Sequence, residues 1–558
     1  MYEVLDLYVD RFAELDPVSA TAAGIVGHDG EMTDYSPEGA AAQAALARRT
    51  LGALEAAPVE EDRGRVAAEV AREELALSLE LYEAGHYLKA LNVLHSPVQA
   101  VRMAFDLMGR ETEEEWRNVA ARLTRVPRGL ESYRESLEEG VRRGVVGARR
   151  QALGAAGQAE AWAGAGGAAS YFEGLVEAYD SSGLRDESLR RDLVHGAEGA
   201  AGAYADLARY LREGYAPRAR EKDGVGRDEY GLVARVFNGI ELDLDETYEW
   251  GWEQVRWVES EMAATARRIA PGMSLPEVVG LLEGDPRRAI EGVEAFRRWM
   301  QELQDRTVEA LDGVHFDIPE RVKRVEARIA PPGGGLAMYY TGPSEDFSRP
   351  GRIWYPTGGK TRFPLWQEVS IGYHEGVPGH HFQIATAMHL ADELSRYQRL
   401  LAGTSGYVEG WALYAERLMG ELGYLENPDY YLGMLSAQAL RSIRVVVDIG
   451  MHLDLRIPGG SGFHPGEVWN AELANEFLRE RARFPEDFVA SEVDRYLGLP
   501  GQAISYKVGE RVWLAAREAA RWAAGAAFDL KAWHNRALRM GPMGLAQMER
   551  EMGRGRLS

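Results

Sequence analysis

From Met1 to about Glu320, apolar residues recur at three- and four-residue spacing between acidic and basic ones, which predicts one amphipathic helix after another. Residues 60–85 (EEDRGRVAAEVAREELALSLELYEAG) and 244–270 (LDETYEWGWEQVRWVESEMAATARRIA) are long examples. Asp16-Pro17, a capping acid followed by proline in the first turn, predicts a helix start. No strand-like alternation is sustained in this half. The small, Gly-rich run 156–170 (AGQAEAWAGAGGAAS) reads either as a loose connection or as a close-packed helix junction. After Pro319 the texture changes. VKRVEARIA (322–330), LAMYYTGP (336–343) and GRIWYPTGG (351–359) are short β-branched or aromatic runs between Gly and Pro clusters, and they predict a small sheet. PPGGG (331–335) lacks the GK[ST] that a phosphate loop requires and reads as a turn. Helical pattern returns near Pro364 and is interrupted at Asn427-Pro428, 457–466 and 497–501.

These elements predict a mainly α protein with three short strands just before a histidine-rich segment. A length of 558 residues exceeds one simple core, so two lobes are expected around a deep cleft: 1–320 as a helical N-terminal lobe and 321–558 as a second lobe carrying the strands. A net charge of −23 repels a polyanionic backbone and argues against nucleic acid as a partner. Cys is absent, which removes disulfides and thiolate metal sites and leaves His, Asp and Glu as the metal ligands to consider. The first residues carry acids every few positions without a basic start or an apolar run, and no later stretch offers about eighteen uncharged apolar residues. The expectation is a cytoplasmic protein with no membrane partner.

Five of the twelve histidines fall between His374 and His452. The segment IGYHEGVPGHHFQ places an HE pair at His374-Glu375, as in the H-E-x-x-H helix where two histidines one turn apart bind zinc and the glutamate activates water. Here the position four after His374 is Pro378, which ligates nothing. On an ideal helix His380 lies about 240° round from His374, and His381 lies about 340° round but some 10 Å further along. A two-residue bulge at Pro378-Gly379 would bring His380 into place, and His380 is preferred on that ground. The other histidine, His381, is then expected beside the metal, orienting a ligand or donating to a developing oxyanion. A hydrolytic zinc site takes three protein ligands and leaves the fourth position for water, so a third ligand is needed from elsewhere.

HEGVPGHHFQ, EGWALYAE, RSIRVVVDIGMH and PGQAISYKVG resemble, in that order, blocks of the bacterial family catalogued as domain of unknown function 885, and ELDPVSATAAGIVGHD resembles its opening. The match runs along nearly the whole chain. The resemblance implies the thermolysin-like clan of metallopeptidases and a two-lobed helical form similar to carboxypeptidase Taq, angiotensin-converting enzyme and the oligopeptidases. Glu409, in Glu-Gly-Trp-Ala, resembles the Glu-Gly-Phe-Ala glutamate that is the third ligand in glutamate-type zincins, with Glu416 as the alternative. Tyr506 stands where the family would place an oxyanion donor, and Lys507 beside it, which on a helix cannot also point at the metal, is a substrate-binding candidate. Arg441, Arg444, Asp448 and His452 share one helical face, which on spacing alone looks onto either bulk solvent or a wet cleft. The resemblance favours the cleft, where an arginine could receive a peptide carboxylate and Asp448 could hold His452 or an arginine. Tyr339 and Tyr340 could flank a peptide added to the sheet edge, or be ordinary strand aromatics. The expected function is a zinc metallopeptidase, one Zn2+ per chain, cutting short or unfolded peptides with Glu375 as general base. A zinc hydrolase of non-peptide amides and an inactive peptide-binding relative are the alternatives.

Overall fold

The computed structural model describes residues 1–58, 61–330, 338–482, 484 and 486–554. With 69% helix and 5% strand the protein is mainly helical with small sheets, as the spacing of its apolar residues predicts. Asp16 caps the helix Pro17–Ala22, accepting from the Ser19 N–H at 3.1 Å. The two long amphipathic stretches form helices Asp62–Glu83 and Leu244–Ile269. In the 156–170 run, the first part belongs to the helix Arg149–Trp162, whose Ala155, Ala156 and Ala159 are fully buried, and only the remainder is a connection.

The three predicted strands exist in shortened form, β2 (Val325–Ile329), β3 (Tyr339–Thr341) and β4 (Gly351–Tyr355), in the order β2-β4-β3. β2 runs parallel to β4, and β3 runs antiparallel to it with Tyr340 opposite Ile353. The proposed turn at 331–335 and the start of the 336–343 run lie outside the described residues. A further strand in the helical half, β1 (Ala289–Glu291), pairs antiparallel with β5 (Arg362–Pro364). Three residues are too few to show an alternation, so pattern reading passes over it.

The chain divides into two compact units, but not near residue 320. One comprises Met1–Val59, Ala71–Val225 and Asp494–Leu499; the other comprises Glu60–Val70, Gly226–Val493 and Pro500–Ser558. The first is cored by the helices Glu113–Arg143 and Glu187–Arg209 around Trp116, Tyr133, Phe172 and Tyr204. The boundary falls at Val225 because the helices that follow pack into the second unit. Leu244–Ile269 lies along the helix Pro428–Leu453, where Gly251 meets Val445 and Val446. That helix is the core of the second unit: from 432 to 452 every residue is buried except the partly exposed Arg441. Among the described residues no helix is long and apolar enough to cross a membrane.

Candidate metal centre

Every residue of the histidine segment and its surroundings belongs to the second unit. The first histidine helix, Leu365–Glu375, ends with His374 and Glu375 both buried; the second, His380–His389, begins at His380. Between them four residues leave the helical ladder. The Gly379 N–H donates to the Tyr373 carbonyl at 3.0 Å, six residues back instead of four, so the ladder resumes two residues late. His380 thereby takes the place that position 378 would hold in an unbroken helix, which is the geometry the two-residue bulge predicts. The break leaves little room at either glycine, against backbone at Gly379 and against the Gln304 side chain at Gly376. A Cβ on Gly379 would lie 2.0 Å from the His374 carbonyl oxygen, and one on Gly376 would lie 2.0 Å from the Gln304 side-chain oxygen.

Gln304, fully buried on the helix Val293–Leu311, splints the break. Its amide donates to the Gly372 carbonyl at 2.8 Å and accepts from the Val377 N–H at 3.0 Å. The Trp411 indole N–H donates to the Pro378 carbonyl at 2.8 Å. These bonds satisfy backbone groups that the broken ladder would otherwise bury unpaired. Gln304 escaped the sequence reading, although a polar residue among Phe296, Met300, Leu303 and Val308 on an apolar helix face was a usable signal.

The third participant comes from the helix Ser405–Glu421. Glu409 Oε2 lies 3.3 Å from His374 Nε2 and 3.3 Å from His380 Nε2, and the three ligand atoms are all within 4.8 Å of one another. Glu409 Oε2 is buried without a well-formed hydrogen bond. An ion held tetrahedrally at about 2.1 Å would separate its ligand atoms by about 3.4 Å, so the donor set and its spacing fit zinc. Glu416, two turns further along, takes the other side of His374: it accepts from Nδ1 at 2.8 Å and from the Ser370 hydroxyl. That bond holds the Nδ1 proton and turns the Nε2 lone pair toward Glu409 and His380. His380 Nδ1 has no equivalent partner and is buried without a hydrogen bond.

Electrostatics follow from burial and these neighbours. Burial pulls His374 down, but Glu409 and Glu416 outweigh it and raise it to about 9. Burial pushes Glu409 up, but His380 and His374 outweigh it and hold it well below the usual carboxylate range. Glu375 is raised by burial despite the opposing His380 and His374. An upward shift makes a carboxylate a stronger proton acceptor, which suits a general base.

The helix Ser505–Ala524 completes the wall. Gly410 and Gly509 meet backbone to backbone, since a Cβ on Gly410 would lie 2.4 Å from Gly509 Cα. This close crossing brings the partly exposed Tyr506 ring parallel to His374, centroids 6.2 Å apart. Arg441 and Arg444 lie over the same tyrosine, 5.4 and 4.6 Å from its centroid. Arg441 also acts electrostatically on Glu375.

The other residues of the polar stripe have different employment. Arg444 donates through Nε and Nη2 to Glu492 at 3.1 and 2.5 Å in a buried ion pair. Asp448 accepts from the Tyr230 hydroxyl at 2.7 Å and the Gly501 N–H at 2.9 Å, and His452 packs beside them 3.7 Å from Asp448. Lys507 is fully buried, with Nζ 2.5 Å from both Gln438 and Glu510. The substrate-binding expectation is therefore corrected for Arg444, Asp448, His452 and Lys507, because each is buried and held by its neighbours in the core. The oxyanion-donor expectation for His381 meets the same objection. Its Nε2–H donates to the Val322 carbonyl at 2.7 Å, so Nδ1 is an acceptor and receives the Tyr340 hydroxyl at 3.0 Å. Burial lowers His381 to about 4, so the ring stays neutral with no N–H to spare. Tyr340 is thereby a tie between β3 and the second histidine helix, and the close approach requires Gly351, whose Cβ would lie 2.5 Å from His381 Nδ1. Tyr339 is exposed and stacks on Trp354 at 6.0 Å, within the sheet.

The fold and the site together define a mainly helical protein with a His-His-Glu candidate metal centre. The chain belongs to the family of bacterial proteins of unknown function DUF885, whose model matches residues 17–552. A candidate lipoprotein from Colwellia psychrerythraea shares the fold, with a TM-score of 0.83 at 22% identity over 99% of this chain and 98% of that one. A candidate lipoprotein of unknown function from Shewanella oneidensis aligns with a TM-score of 0.74 at 17% identity over 99% of this chain and 100% of that one. Pyrococcus furiosus carboxypeptidase aligns with a TM-score of 0.39 at 12% identity over 99% of this chain and 98% of that one, a likeness too slight to carry an argument. No curated protein matches the chain.

Proposed function

We propose that this protein is a zinc-dependent metallopeptidase that hydrolyses short or unfolded peptides. The observation that carries the reading is the convergence of His374, His380 and the hydrogen-bond-free Glu409 Oε2 beside a buried Glu375 whose proton affinity is raised. His374, His380 and Glu409 would hold the ion, one per chain, which when bound would supply Lewis acidity and acidify water at its open position. Glu375 takes the proton of the attacking water and returns it to the leaving amine. Tyr506, stacked on His374, is the proposed donor to the oxygen that becomes negative during attack. Glu416 keeps His374 in the tautomer that leaves Nε2 free. Arg441, the one residue of its helix between 432 and 452 that is not buried, is the proposed receptor for a peptide carboxylate.

The test is digestion of a peptide library by the zinc-loaded protein, read by mass spectrometry, with Glu375→Gln alongside. Cleavage should fall about 100- to 10,000-fold in Glu375→Gln while its zinc content stays at that of the wild type. A zinc-loaded wild type that cuts nothing, or a Glu375→Gln variant that cuts as fast, removes the reading.

A further inference from the structure

Tyr506 is the second residue of the helix Ser505–Ala524 and is partly exposed. A helical side chain leans over the turn that precedes it, and a residue at this position has no such turn in its own helix. What holds the ring must come from elsewhere. One neighbour is His374, whose ring lies nearly parallel to it with centroids 6.2 Å apart. From the helix Pro428–Leu453 come Arg441 and Arg444, three residues apart and so on one face, with guanidinium carbons 5.4 and 4.6 Å from the Tyr506 centroid.

The two arginines are held differently. Arg441 is partly exposed, whereas Arg444 is buried and donates through both Nε and Nη2 to Glu492 Oε2, at 3.1 and 2.5 Å. Glu492 lies on the helix Glu486–Gly498 and is buried as well. Two bonds from one guanidinium to one carboxylate oxygen fix the orientation of the cation as well as its place. A fixed cation over an aromatic face attracts the ring through its quadrupole, and a planar guanidinium is suited to stack there.

We propose that Arg444, fixed by Glu492, is the positioning residue for Tyr506, holding its ring against His374 so that the hydroxyl meets the oxygen that becomes negative. This rests on the peptidase reading and adds to that site a buried ion pair that acts only through the tyrosine. Misplacing a reacting group by about 1 Å costs on the order of 100-fold in rate, so such a pair can govern turnover without touching substrate.

Arg444→Ala strands a buried carboxylate, so the informative variant is Arg444→Met/Glu492→Met, which removes the cation and its partner together. With zinc loaded and assayed well below its melting temperature, its kcat should fall about 10- to 100-fold while KM and zinc content stay at wild-type values. In a Tyr506→Phe background the same exchange should change kcat by less than about twofold, since the donor it positions is already gone. Wild-type kcat in the double variant overturns the proposal, as does a loss carried by KM or an equal loss in the Tyr506→Phe background. If no peptide is cut at all, the peptidase reading fails by itself, and the positioning is read by fluorine NMR of protein labelled with fluorotyrosine. The Tyr506 resonance is the one missing from Tyr506→Phe. It should broaden or split in Arg444→Met/Glu492→Met as the ring leaves its single position, and a line as narrow as that of the wild type overturns the proposal whatever the activity.

Discussion

In the histidine segment, Glu409 Oε2 and His380 Nδ1 are buried without hydrogen bonds, whereas on the helix Pro428–Leu453 Arg444 is joined to Glu492 and Asp448 takes both Tyr230 and the Gly501 N–H. Both regions bury ionisable groups in one unit, and the same low dielectric acts on each. The difference lies in what the groups face. The helix joins Arg444 to Glu492 and Asp448 to Tyr230 and Gly501, and so gains order, while His374, His380 and Glu409 bring three ligand atoms within 4.8 Å of one another. Ligand atoms that converge on one another thus point to function, and buried bonds between distant elements to architecture.

The largest expected effect breaks the first half of that contrast. His374→Ala, His380→Ala and Glu409→Ala should each drop zinc from about one per chain to none by elemental analysis, whereas His381→Ala should retain it. Stoichiometric zinc in a His374→Ala/Glu409→Ala double variant, or its loss in His381→Ala with folding intact, would dissolve the distinction. Next, Arg444→Ala should cost about 3–5 kcal/mol in chemical denaturation, because it leaves Glu492 charged and unpaired in the core. Replacing both partners with apolar residues should recover much of the loss; normal stability with weakened peptide binding in Arg444→Ala would instead return Arg444 to the substrate. Arg441→Ala sharpens the comparison on the same helix. Stability should change by no more than about 0.5 kcal/mol, while the preference for a free over an amidated C-terminus should shrink by about 1.5–3 kcal/mol, or ten- to a hundredfold in kcat/KM. Amidated and free peptides cut alike by the wild type would remove the carboxylate role. The smallest effect is that of Tyr340→Phe, expected to cost about 1 kcal/mol for the bond to His381 while zinc content stays unchanged.

Composition and spacing by themselves determined the helical class, the strands ahead of the histidines, and a ligand set limited to His, Asp and Glu. Those properties live in local pattern: a period of three to four, short β-branched runs between glycines, and the absence of Cys. The two-residue offset that serves His380 was legible for the same reason, because Pro378-Gly379 must interrupt the ladder and helical geometry dictates how far. Tertiary packing decided the rest. Spacing places Arg441, Arg444, Asp448 and His452 on one face, but a face has no meaning until its neighbours are known, and the neighbours Tyr230, Glu492 and Gly501 lie between about fifty and two hundred residues away in the chain. His381 differs from His380 by one position in sequence and by everything it touches, since a step of about 100° round the helix turns it to Val322 and Tyr340 instead of Glu409. Gln304, the splint of the break, and the Gly410–Gly509 crossing that carries Tyr506 to His374 arise where distant helices meet, which no local period encodes.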